Sequence, residues 1–93
     1  PHQEAAVFYQ QTFDRLSEAL TLSSSAQETD NVFEQYQHYS TQLPADFSLI
    51  RGLKRQLADK YLTLSAELLK TNQVRNAERL MRRANTLMSS INS

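Results

Sequence analysis

Residues 61–89 read YLTLSAELLKTNQVRNAERLMRRANTLMS, and their spacing decides the fold. Tyr61, Leu64 and Leu68 recur at three and four residues, the period of one helical face. Beyond Thr71, a second run places Ala77, Leu80, Met81, Ala84, Leu87 and Met88 on another such face. Asn72 is the residue expected to turn the chain, because asparagine tolerates positive φ better than most. Ser65, Ala77 and Ala84 are small where large side chains would hold two helices apart, so the two segments are expected to lie back to back. A hairpin of this kind cannot bury its apolar face alone and needs the rest of the chain as a neighbour.

Outward from that stretch, the third helix is expected to start near Asp46, a good N-cap, and to run to Thr71. Phe47, Ile50, Leu53 and Leu57 extend its apolar side. Gly52 sits inside it, allowing either a close helix contact or a slight bend. The fourth helix spans Gln73 to Ile91 with Val74 also inward. Pro44 breaks the pattern upstream. Before it, Ala6, Tyr9, Phe13, Leu16 and Leu20 form the stripe of a first helix from Gln3 to Leu22, flanked by Phe8 and Leu22. Ser25 and Glu28 make a capping box for a second helix from Ala26 to Gln42. That helix should bury Val32, Phe33, Tyr36 and Leu43, with Tyr39 at the margin. The expected fold is all-α: four antiparallel helices in one domain, with residues 1–44 an irregular capping pair and 46–92 the hairpin.

Composition agrees with this. One Gly, two Pro and no Cys leave little turn chemistry, no disulfide and no thiolate metal site. No apolar run reaches the length of about 18 residues that a membrane span needs. Both ends are expected to be cuts through a longer protein, since no Met opens the chain and the last helical pattern runs almost to Ser93. The sequence leaves the compartment open, with a slight lean to the cytoplasm.

The net charge is zero, yet the charges are sorted. Before Arg51, the acids Glu4, Asp14, Glu18, Glu28, Asp30, Glu34 and Asp46 face only Arg15, about −6. From Arg51 onward nine cations face Asp59, Glu67 and Glu78, about +6. Two readings follow: attraction between the halves within the domain, or a basic face for an acidic partner. Arg75, Arg79, Arg82 and Arg83 form a stripe on the fourth helix that serves either reading. Nucleic acid is disfavoured, because nearly all the aromatics lie in the acidic half and are not interleaved with the cations.

Tyr61, Leu64, Ser65, Leu68, Ala77, Met81 and Ala84 fall on the spacing of the tetratricopeptide repeat, and the last third of the chain resembles one such hairpin. Ser65 stands for the family's Gly, Leu68 for its Tyr, Met81 for its Phe, and Ser89 for the closing Pro. The first half does not repeat the pattern, since Val32, Phe33, Tyr36 and Tyr39 stand where small residues should recur. The resemblance implies binding of an extended peptide or partner helix on the concave face made by the first helix of each hairpin. On this chain that face holds Asp59, Leu62, Thr63, Ala66, Leu69 and Lys70. Asp59 and Thr63 stand where members that grip a C-terminal carboxylate carry Lys and Asn, so no such clamp is expected. Leu62 and Leu69 either form a docking strip or are covered by the first two helices.

No phosphate loop, nucleophile elbow or metal-ligand spacing occurs. Glu34 and His38 are one turn apart, but two ligands make a poor site. The chain is therefore expected to have no catalytic, cofactor or metal site. It is expected to be a non-catalytic protein-interaction module of a larger regulatory protein. Leu62, Ala66, Leu69 and Lys70 form its working surface, and Arg75, Arg79, Arg82 and Arg83 assist an acidic partner. Alternatives are a structural or homodimerising domain, or an accessory regulatory domain of an enzyme on the same chain, such as a bacterial Ser/Thr signalling kinase.

Overall fold

The computed structural model describes residues 2–43 and 47–92. Four helices make up the fold, α1 (His2–Leu22), α2 (Ala26–Ser40), α3 (Ser48–Lys70) and α4 (Val74–Asn92). Successive helices run antiparallel. Ser48 at the start of α3 lies by Ile91 at the end of α4, and the Tyr9 hydroxyl reaches Gln42 beyond the end of α2 at 3.0 Å. α3 is the central element: it packs along α4 and also against α1 and α2. Leu57, Ala58 and Tyr61 are completely buried on it, while Phe13, Leu16, Leu20, Val32 and Tyr36 cover it from α1 and α2.

The hairpin closes as its small residues require. Ala77 and Ala84 are fully buried, and Ser65 is nearly so. The Ser65 hydroxyl donates to its own helix at the Leu62 carbonyl, 2.7 Å away, so it asks nothing of α4. Asn72 has φ 63°. Its N–H donates to the Leu69 carbonyl and that of Gln73 to the Leu68 carbonyl, at 3.1 and 2.9 Å. This pair of bonds is the Schellman motif, and it satisfies two carbonyls that the helix end leaves open.

α2 is capped by Ser25, whose side chain accepts from the Glu28 N–H at 3.2 Å. The Ser24 and Ser25 hydroxyls both donate to the Glu28 carboxylate. The end of α1 carries no basic residue of its own. Lys60 of α3 supplies one, donating to the Ser23 and Thr21 carbonyls at 3.1 and 3.4 Å. A cation is favourable there because the carbonyl end of a helix is the negative one.

Several expectations at helix ends need correction. Ala6 is exposed because α1, at about 31 Å, outruns α2, at about 22 Å, and its first turns extend past the partner. The cap of α3 is Phe47, with no side-chain bond, and the helix begins at Ser48. Phe47 is more than a third exposed rather than inward, and Val74 is half exposed because it precedes the first buried residue of α4, Ala77. α2 ends at Ser40 rather than Gln42. Phe33 and Leu43 are only half-buried. Pro44 and the Asp46 cap lie outside the described residues. Gly52 makes no close contact, since a Cβ built there meets open space; its place in the helix has no packing reason.

Candidate functional surface

On α3 the fully buried stripe centred on Leu57 and Tyr61 is flanked by Leu62 and Leu69, seven residues apart. Each of these leucines is 43% exposed. Ala66 lies between them and Lys70 at the end of the strip, both exposed. The first two helices do not cover this strip, so the alternative in which it is simply buried is overturned. Asp59 and Thr63 beside it are also exposed.

The arginine stripe divides. Arg75 and Arg82 are exposed, with no acidic partner among the described residues. Arg79 and Arg83 turn to α2 and converge on Asp30. Arg83 Nη1 lies 3.0 Å from Asp30 Oδ1 and Arg79 Nη1 lies 3.4 Å from Oδ2. Asp30 thus draws these two arginines of the expected stripe toward α2.

Asp30 also accepts the Tyr61 hydroxyl at 2.7 Å. The Arg83 guanidinium lies 4.7 Å from the Phe33 ring centroid and 5.8 Å from that of Tyr61. Burial, and then the Asp30 carboxylate, push the Tyr61 hydroxyl well above its ordinary range. Arg83 is held above its own ordinary value by the Tyr61 hydroxyl, against the opposing effect of burial, with Asp30 adding to the rise. Burial also raises Tyr36, offset in part by its hydrogen bond to Ser40. One acid from the acidic half thus ties together two arginines and a tyrosine from the basic half, in line with attraction between the halves. Chemically this is a structural tie: the Arg83 guanidinium and the Tyr61 phenol are held in their protonated forms.

Sequence reasoning missed the role of Asp30. The signal was Tyr61 itself, because a buried tyrosine carries a hydroxyl that must find a partner. Thr29, fully buried, was missed too; its hydroxyl lies 3.0 Å from that of Ser23 and 2.9 Å from the Ser25 carbonyl. His38 lies edge-on to Tyr39 at 5.0 Å. Among the described residues no group of three His, Asp or Glu side chains could hold a metal ion, and no helix is long and apolar enough to cross a membrane. No family model matches this chain, nor does any curated protein or solved structure.

Proposed function

We propose that this chain is a non-catalytic protein-interaction module of a larger regulatory protein. In this reading α3 and α4 act as a tetratricopeptide-like hairpin that presents Leu62, Ala66, Leu69 and Lys70 to a partner. The observation that carries it is the pair of leucines, each 43% exposed on the helix whose neighbouring stripe is wholly buried. The fold leaves nearly half of each open to solvent, and a row of apolar side chains beside a cation suits an apolar partner segment with an acidic end. Arg75 and Arg82 are the arginines left to assist such a partner, since Arg79 and Arg83 are engaged by Asp30.

Leu62→Asp tests the reading, because an exposed position can take the charge without harm to the fold. Affinity for the natural partner should drop about tenfold or more, a loss near 1.4 kcal/mol. A change within about twofold, with the unfolding curve intact, would refute the assignment. A homodimer is the runner-up, favoured by Val7 and Phe8, both about half exposed near the start of α1. Light scattering over a concentration series separates the two, a strict monomer speaking against assembly.

A further inference from the structure

Because α4 rests mainly on α3, a trough of about 500 Å³ stays open between α2 and α4. Its size lies within the range of ligand-binding clefts. α2 supplies Phe33 and Tyr36 to its wall, α4 supplies Arg83 and Leu87, and α3 supplies Lys54. No carboxylate is among the lining residues. Lys54 is half-buried and has no acidic partner among the described residues. Its counterpart Lys60, equally half-buried, is held by two carbonyls. A cation drawn partly out of water gains most from an anion that completes its surroundings.

The fold also undoes a separation present in the sequence. Phe33 and Tyr36 belong to the acidic half and Lys54 and Arg83 to the basic half, yet all four line one trough. Arg83 is already paired with Asp30, so Lys54 is the cation left to a ligand, and aromatic faces beside it suit one that is apolar along one edge and anionic at the other. We propose that this trough binds an acidic peptide segment of a partner protein. One of its carboxylates would meet Lys54, and a neighbouring apolar side chain would cover Tyr36 and Leu87. A single-stranded nucleic acid is less suited, since such ligands need cations repeated along the backbone and this chain has no net charge.

The test is an amide-resolved NMR titration of the full chain with three probes. These are a blocked hexapeptide of alternating glutamate and leucine, its glutamine counterpart, and hexathymidylate. The glutamate peptide should shift the amides of Gln37, Thr86 and Leu87 and bind about tenfold more tightly than the glutamine peptide. Lys54→Gln should weaken it about fivefold, Lys54→Arg should restore it, and Leu62→Asp should leave it unchanged. Equal binding of both peptides, tighter binding of hexathymidylate, or no shifts at millimolar peptide would overturn the proposal. Shifts confined to residues 62–70 would overturn it too, while favouring the leucine strip. The two surfaces use different residues, so the failure of one leaves the other standing.

Discussion

Arg83 and Asp30, 53 residues apart in sequence, meet at 3.0 Å between Nη1 and Oδ1. The same Oδ1 accepts the hydroxyl of Tyr61, so one carboxylate oxygen holds α2 to both helices of the hairpin. The contact explains how an irregular helix pair keeps its place over α3 and α4 although α2 barely packs on α4. Removing the carboxylate strands a buried phenol and releases two cations. Asp30→Ala should therefore lower the unfolding free energy by about 2 kcal/mol in a urea titration. Arg79→Gln should cost less than about 1 kcal/mol, because Arg79 is 43% exposed and its bond is longer.

The raised Tyr61 hydroxyl gives that tie a pH signature. A phenol whose folded-state pKa exceeds its unfolded value contributes stability that is fully present below the unfolded value of about 10. That stability is lost as the pH rises further, since the unfolded chain ionises first. The thermal midpoint should hold steady from pH 7 to pH 9 and fall above pH 10. Tyr61→Phe should make the alkaline fall shallower while lowering stability at neutral pH. An unchanged alkaline slope in Tyr61→Phe would show that the hydroxyl is not so held.

Thr12 presents the opposite case. Its side chain is buried on α1 and its Oγ1 has no hydrogen-bond partner. Thr12→Val keeps the shape and removes the unsatisfied group, and should raise stability by about 1 kcal/mol. Chemical denaturation would read the gain directly.

Much of the fold was legible because it rests on local rules. The capping box of Ser25 and Glu28, the left-handed Asn72 and the two buried alanines are each dictated by a few adjacent residues. Ala6, Phe47 and Val74 were misread for a shared reason: periodicity gives a helical face but not where the partner helix stops covering it. The Asp30 tie was illegible because its members come from three helices, and only the folded register brings them together. The leucine strip was named in sequence, but whether other helices cover it depends on where α1 and α2 settle. The trough had no local signal at all, since its aromatics and cations come from opposite ends of the charge pattern.

The alanines carry the hairpin. Ala84 is fully buried, so Ala84→Leu should force α3 and α4 apart and cost about 1–3 kcal/mol. Ala66→Leu, on the exposed side of α3, should fall within about 0.5 kcal/mol of the parent. Equal effects at the two positions, measured by thermal unfolding, would mean that the helices do not pack through the alanine side.

The proposed interaction face is tested most directly by site-specific photocrosslinking in the cells that make the protein. A photoreactive side chain at position 62 or 69 should yield the same discrete protein adduct, and one at exposed Leu22 should not. Adducts that appear equally from all three positions, or from none, would contradict the account.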